Sequence, residues 1–432
     1  MVENEVSGAR PDLSPSEAKS QDRLIHSNAA CIELSRLPSV PVQVYGKFAE
    51  LPASYTDLFD ASRRQDFFLT RDWFQNFANT ALQPGTSLRI YGISMPDQPN
   101  RAAGMFVAAS MPQHGVLPLR KLSALTNYYT CFYAPHLSVS GDPVQTLQAL
   151  AKAWAAERPR WDEIEIRPLD VGSEEFSLLE KALKMAGFAV QKYFCFGNWY
   201  LPVQGQSYEE YHERLPSALK NTLRKRRRNL EKTGRGVIEI ITGGERLEAA
   251  IQAFTKLYEE TWKHPEPYPD FVPGLIRTCA EMGALRLGLI FVGGEPAAAQ
   301  LWMVNHGAAL VYKSAYDRRF ADLSVGSILR AAVTQHVLDV DKVDEIDYLS
   351  GDEAYKRDWV THRRERWGIL AMNPRTPRGA VSIARNLGLH TIKQAALALS
   401  GRRNDPSSVE PVPPNNRSVP GQNQRRREVC FQ

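Results

Sequence analysis

The run LRLGLIFVGGEPAAAQLWMVNHGAALVYKSAYD, beginning at Leu285, constrains the fold more than any other part of the chain. Three stretches rich in aliphatic and aromatic residues are separated only by GGEP and HGA, and such short glycine-containing turns reverse the chain between neighbouring strands. The segment therefore reads as an antiparallel meander. After it, RRFADLS is a loop, Val325 to Asp339 has the spacing of a helix, and Glu345 to Leu349 that of a strand; a last helix is expected from Asp352 to Trp367.

The rest of the chain alternates in the same way. Helices are expected over Tyr55 to Arg63, Arg71 to Ala81, Pro143 to Glu157 and Glu174 to Ala186, with strands at Ser87 to Ile93, Ala102 to Ala109, Glu163 to Arg167 and Cys195 to Leu201. A second block opens with a helical stretch from Tyr208 to Lys232, broken at Pro216, and continues through the strand Val237 to Ile241 and helices at Arg246 to Lys263 and Gly274 to Met282. The fold class is mixed α/β. Residues 1–40 and 401–432 have little apolar periodicity and read as a disordered leader and a disordered basic tail, with an amphipathic helix over 376–400 docked before the tail.

Composition removes several classes. No apolar run approaches the roughly 18 to 20 residues of a membrane-spanning helix, and the start is acidic and polar where an export signal would be basic and then apolar. Five cysteines stand singly and nine histidines show no paired spacing, which points to a reducing, cytoplasmic compartment and to no metal. The net charge of +5 is concentrated: between Arg214 and Arg235 nine Lys or Arg face a single acid, Glu231. A nucleic-acid binder more often spreads positive charge over a whole domain, while a short basic helix suits cofactor phosphates, an anionic membrane surface or plain solvation. Leu215, Leu219, Leu223 and Leu230 share one face of it, which carries Arg226 onto the apolar stripe, where it needs an anion, a cofactor phosphate or an inter-domain carboxylate.

The turn Leu323-Ser324-Val325-Gly326-Ser327 joins the meander to a helix. Free N–H groups at a helix start, a glycine that lets an anion approach the main chain, and two serine hydroxyls suit Ser324, Val325, Gly326 and Ser327 to phosphate; a plain serine cap is the alternative.

The order of elements resembles the Gcn-five-related N-acetyltransferase (GNAT) fold. The segments EETWK (Glu259 to Lys263), GGEPAAAQLW (Gly293 to Trp302), YKSAYDRRFADLSVGSIL (Tyr312 to Leu329) and IDYLSGDEAYKRDW (Ile346 to Trp359) are similar to the GNAT group of CelD-like proteins from bacterial polysaccharide clusters, itself similar to Fem peptidyltransferases. The resemblance covers about residues 45 to 375. It implies two tandem GNAT-like domains, 41–205 and 206–375, each a mostly antiparallel sheet flanked by helices, the second binding acyl-CoA or acetyl-CoA as donor and the cleft between them the acceptor. The expected activity is N-acyl transfer to an amine, on an amino sugar or a surface-polymer precursor. A Fem-like transferase using aminoacyl-tRNA and a catalytically silent module of a polysaccharide system are the alternatives.

Candidate roles follow. Asp347, in the strand Glu345 to Leu349, is a candidate base if it projects into the site. The family pattern implies Lys356 as a site residue, Tyr316 or Tyr355 as the acid for the leaving thiolate, and Trp262 and Lys263 as acceptor contacts. Asp352 is expected to meet Lys356 one helical turn away, while Ser350 to Glu353 also spells a helix capping box.

Overall fold

A computed structural model describes residues 40–111, 118–232, 236–260 and 266–386. The expected leader and tail, most of the helix expected over 376–400, and Trp262 and Lys263 lie outside the described residues.

Thirteen strands form one sheet. They are β1 (Val42–Tyr45), β2 (Ser87–Met95), β3 (Gln98–Ser110), β4 (Lys121–Ala124), β5 (His136–Leu137), β6 (Glu163–Asp170), β7 (Ala189–Pro202), β8 (Gly236–Ile241), β9 (Leu285–Val292), β10 (Glu295–Asn305), β11 (Ala308–Tyr316), β12 (Glu345–Ser350) and β13 (His362–Met372). The order across the sheet is β1-β2-β3-β4-β6-β13-β7-β12-β11-β10-β9-β8, with β5 alongside β3. Two pairs run parallel, β4 with β6 and β11 with β12. The helices are α1 (Thr56–Arg63), α2 (Arg71–Thr80), α3 (Pro143–Ala156), α4 (Glu174–Met185), α5 (Tyr208–Arg214), α6 (Ser217–Lys232), α7 (Leu247–Glu259), α8 (Phe271–Glu281) and α9 (Val325–Asp339).

Local chemistry sets the boundaries. Thr70, Asp142, Ser173 and Ser207 each accept a backbone N–H at the start of α2, α3, α4 and α5 with their side chains, satisfying donors that no helix can pair internally. Pro216 separates α5 from α6, because a proline in a helix interior has no N–H to give and collides with the preceding turn. Along β10 the side chains alternate between two cores: Ala299, Leu301 and Met303 join one, Ala298 and Trp302 the other. The first core runs from the aromatic cluster around Trp73, Phe106 and Trp154 into α7 and α8, where the Trp73 ring meets Phe271 edge to face at 5.5 Å. The second packs α5, α6 and α9 on the opposite face.

The chain from Asp352 to Trp367 is not a helix. It makes a 3-10 turn, Ala354–Asp358, and then β13. Its local pattern is overridden because β6 and β7 each expose an edge that only another strand can satisfy. β13 enters between them, antiparallel to both, and buries Ile369 and Ala371. Strand β7, expected from Cys195 to Leu201, is correspondingly longer, starting at Ala189.

That insertion gives each half of the chain a seven-strand set containing both β7 and β13: β1-β2-β3-β4-β6-β13-β7 in one half, and β8-β9-β10-β11-β12-β7-β13 in the other. At the join, Gly368 sits under the Tyr193 ring, close enough that a β-carbon would overlap it, while the Tyr193 hydroxyl donates to Glu165 at 2.6 Å. Gly368→Val is expected to destabilise the protein by about 1 to 3 kcal/mol through overpacking. Urea unfolding checks it, and an unchanged midpoint would show that β13 carries little of the stability.

Candidate active site

Strands β11 and β12 are paired only from Ala308↔Glu345 to Leu310↔Asp347 and then diverge. Both strands break their regular geometry at the level where they part. On β11, Val311 faces Trp302 and Lys313 faces Leu301, so Tyr312 is an extra residue, a β-bulge. On β12, Leu349 has a left-handed backbone, φ 53°, and the register with β7 shifts between Asp347 and Ser350. A bulge re-aims the chain around it, and here it leaves the edge of β11 beyond Leu310 without a strand partner among the described residues. The opening is a cleft of about 250 Å³, walled by Val311 to Ser314, Tyr348 to Ser350, Tyr128, Tyr129, Arg330, Tyr355 and Lys356.

The matching place in the N-terminal half is closed. There β4 and β6 part after Ser123↔Glu165, and the segment that follows β4 runs through the gap: the Thr126 hydroxyl donates to the Arg167 carbonyl at 2.9 Å and the Tyr133 N–H to the Pro168 carbonyl at 2.7 Å.

One wall of the cleft is an ionic and aromatic cluster. Lys313 Nζ lies 2.5 Å from Glu266 Oε1 and donates to the Tyr258 hydroxyl at 3.0 Å, over the ring of Tyr129 at 5.0 Å. Burial lowers the Lys313 pKa despite the opposing pull of Glu266. For Glu266 burial is again the largest influence and pushes upward, but Lys313 and the tyrosine hydroxyls together bring its pKa below the usual value. Tyr129 donates to Glu266, and burial followed by that bond raises its pKa far above the ordinary range, so it stays a protonated donor.

Lys356 lies at the other wall, only 3% exposed, on the 3-10 turn. Its Nζ donates to the carbonyls of Tyr348 (3.0 Å), Ser350 (2.5 Å) and Gly351 (3.2 Å) and pairs with Glu353 at 3.0 Å. An ammonium has three protons, so this set saturates it. The i, i+4 pair with Asp352 and the capping box do not form, since no α-helix begins here. Asp352 instead accepts from Arg363 of β13 at 2.8 and 2.9 Å and from Trp199 Nε1 at 2.9 Å, and the bond to Arg363 holds its carboxyl down at about 2. Glu353 belongs to Lys356. Tyr355, at the mouth, stacks on the Arg330 guanidinium at 4.7 Å.

Asp347 does not face this cleft. It lines a separate cavity of about 310 Å³ with Arg364, Arg366 and Asp66. It accepts from Asn198 Nδ2 (2.5 Å), the Leu349 N–H (2.6 Å) and Arg364 (2.5 Å). Asp66, which carries no motif in the sequence, has its pKa raised to about 7, by burial first and the Asp347 charge in addition, against the Phe68 N–H bond and the two arginines.

At the start of α9, Ser324 is left-handed (φ 52°) and caps nothing with its hydroxyl, so the plain serine cap is absent. The N–H groups of Val325 and Gly326 have no acceptor among the described residues, and the Gly326 carbonyl is fixed by Gln300 Nε2 at 2.8 Å. Arg226 meets the expected need for a partner through a carbonyl: its Nη1 donates to Asp322 O, bracing the turn that leads into Ser324. Tyr316 is exposed, at the far end of β11 beside Gly326 and outside the cleft wall. The structure thus brings Lys356 and Tyr355 to the cleft, leaves Ser324 to Ser327 at the helix start and puts Asp347 in a separate cavity. Arg330 and Lys313 line the cleft and Glu266 pairs with Lys313, and the sequence singled out none of the three. Arg330 and Lys313 carry a recognisable signal, a single cation inside an otherwise apolar helix or strand.

Among the described residues no group of three or more His, Cys, Asp or Glu is arranged to hold a metal ion, and no helix is long and apolar enough to cross a membrane. Residues 217–357 match the family model of the acetyltransferase (GNAT) domain. No curated protein sequence matches the chain. Among solved structures, FemX is similar at 12% identity, covering 73% of this chain and 95% of FemX with a TM-score of 0.53. A tandem GNAT protein from the clavulanic acid biosynthesis pathway is similar at 11% identity, over 78% of this chain and all of that one, with a TM-score of 0.47. Residues 217–357 thus carry a GNAT-type acetyltransferase domain, set in a mixed α/β sheet that divides into two seven-strand sets sharing β7 and β13.

Proposed function

We propose that the protein is an N-acyltransferase that moves an acyl group from acyl-CoA to an amine, with the chemistry in the cleft between β11 and β12. The observation that supports this most is the coincidence of three features: the parting of β11 and β12, the unpaired strand edge it leaves, and the open start of α9, with Arg330 of that helix lining the opening. Phosphates of the donor dock on the N–H groups of Val325 and Gly326, with the hydroxyls of Ser324 and Ser327 beside them. The thioester then reaches into the cleft, where a backbone N–H on the free edge of β11 stabilises the oxyanion that forms when the amine attacks. Collapse breaks the C–S bond. Tyr355 supplies a proton to the departing thiolate, and the proton released by the amine restores the balance. Of the two tyrosines implied by the resemblance, Tyr355 is the one on the cleft. Lys356 acts by holding the loop 348–353 that carries the cleft wall. The acceptor class suggested by the resemblance is an amino sugar or a surface-polymer precursor. Cys131, Cys195 and Cys279 are all free thiols, in keeping with a reducing, cytoplasmic setting.

A second reading, aminoacyl-tRNA as donor, has one feature in its favour: Arg224, Lys225, Arg227 and Arg228 are all exposed on α6, next to the turn before α9.

The donor site is tested at Gly326. A β-carbon there would meet nothing closer than Tyr316 Cδ1, at 4.0 Å, so Gly326→Val should fold normally while its side chain stands where phosphate must approach. Calorimetry should show CoA affinity reduced about tenfold to a hundredfold, the scale of losing one or two hydrogen bonds to a charged group; equal affinity would remove the helix start from the site.

For Lys356→Met the expectation is a joint loss. Three carbonyls lose their donor, at about 1 to 3 kcal/mol for buried groups left unpaired, and turnover falls because the wall loosens. Thermal melting and kcat measured together check this, and lost turnover with an unchanged Tm would put Nζ in the chemistry itself.

Replacing Arg224, Lys225, Arg227 and Arg228 together by Gln should leave CoA binding and acyl-CoA turnover nearly unchanged, since Arg226 alone braces the turn. Binding of tRNA to the wild type that weakens with salt at a slope of about −0.9 per phosphate, and that is lost in this variant together with activity on a tRNA-borne donor, would favour the second reading.

A further inference from the structure

The cleft holds a charge that nothing among the described residues neutralises. Arg330, in the second turn of α9, is 9% exposed and lines the cleft. Its guanidinium lies in a box of three rings, Tyr355 at 4.7 Å, Tyr348 at 5.4 Å and Trp359 at 5.5 Å. Its Nε is buried without an acceptor, and no carboxylate among the described residues pairs with it. The other two cations of the cleft are answered: Lys313 by Glu266, Lys356 by Glu353 and the three carbonyls. A buried, unpaired guanidinium is costly, and aromatic faces return only part of its lost hydration. The arrangement is that of a planar donor fork held rigid and waiting for a small anion.

We propose that Arg330 binds a carboxylate on the acceptor, so that the substrate of this site is an amine that also carries a carboxyl group. The inference rests on the acyl-transfer reading for the amine and on the structure alone for the anion. The donor's phosphates are an alternative source of negative charge, but they have their own place at the helix start. Arg330 lies about 7 Å further along the α9 axis, at about 1.5 Å per residue, beneath three rings. Flat walls on a small cleft suit a planar carboxylate more than a tetrahedral phosphate with its hydration shell. Holding that carboxylate at one end of the cleft aims the amine of the same molecule at the thioester in the opening between the strands.

The test uses the full chain and needs no turnover. Acetate, malonate, inorganic phosphate and free CoA are titrated against wild type and against Arg330→Met, which keeps the stem and removes the fork, with Tm and calorimetry as readouts. Without ligand, Arg330→Met is expected to melt at or above the wild-type temperature, because an unpaired buried charge is gone. Malonate and acetate should raise the wild-type Tm and bind Arg330→Met about ten- to a hundredfold more weakly, while CoA binds both alike. Arg330→Lys, retaining charge without the fork, should show intermediate carboxylate affinity, and it replaces the methionine variant if that one does not fold. Carboxylates acting equally on wild type and variants would overturn the proposal, and so would phosphate outcompeting malonate, a CoA affinity lost with Arg330, or a lower melting temperature for a folded Arg330→Met. Failure of CoA to bind the wild type at all would instead count against the acyl-transfer reading, and would leave the carboxylate result standing by itself.

Discussion

The pairing of β7 with β13 is the constraint on which the rest of the molecule depends. These strands pair from His362↔Tyr200 to Met372↔Ala189, with one register shift between Arg366 and Trp367. Because β6 hangs on one side of the pair and β12 on the other, every further strand is placed by it. The cleft loop is tied to the same pair, since Asp352 clamps Arg363 of β13 and Trp199 of β7. The walls of the cleft are thus set on rigid elements through salt bridges and backbone ladders, the arrangement that preorganised chemistry requires.

Duplicated architecture has not produced duplicated sites. Both halves repeat the parallel pair that diverges, β4 with β6 and β11 with β12, yet only the second opening is a cleft. In the first half Thr126 and Tyr133 bond to the carbonyls of Arg167 and Pro168, so the chain satisfies its own free strand edges there. The second half leaves those groups open, at a cost in buried polar surface that is tolerated where a ligand supplies the missing partners. The same logic covers Arg330.

Much of this was legible in the sequence. The meander, the break at Pro216 and the span of α9 follow from apolar periodicity and turn chemistry, and each is local. What escaped is non-local. Residues 362–372 have no inherent claim to be a strand until β6 and β7 lie ready on either side. The bulge at Tyr312 and the left-handed Leu349 have no glycine to announce them, and the sequence does not tell which of two neighbouring cavities Asp347 lines. The resemblance pointed to Lys356, which lines the cleft, but its bonding to three carbonyls depends on a loop path that residue types do not encode. Arg330 is a single cation among Ile328, Leu329 and Ala331, a pattern whose meaning appears only once Tyr348, Tyr355 and Trp359 are seen around it.

The late position of β13 also has a consequence for how the protein is made. On the ribosome β7 emerges long before its partner, because residues 203–361 must be translated in between. At about 5 to 20 residues per second that interval lasts roughly ten to thirty seconds. Throughout it the gap between β6 and β7 presents unpaired backbone and the apolar positions later covered by Ile369 and Ala371, a template that other nascent chains can join. Slow translation of the C-terminal half would lengthen that exposure.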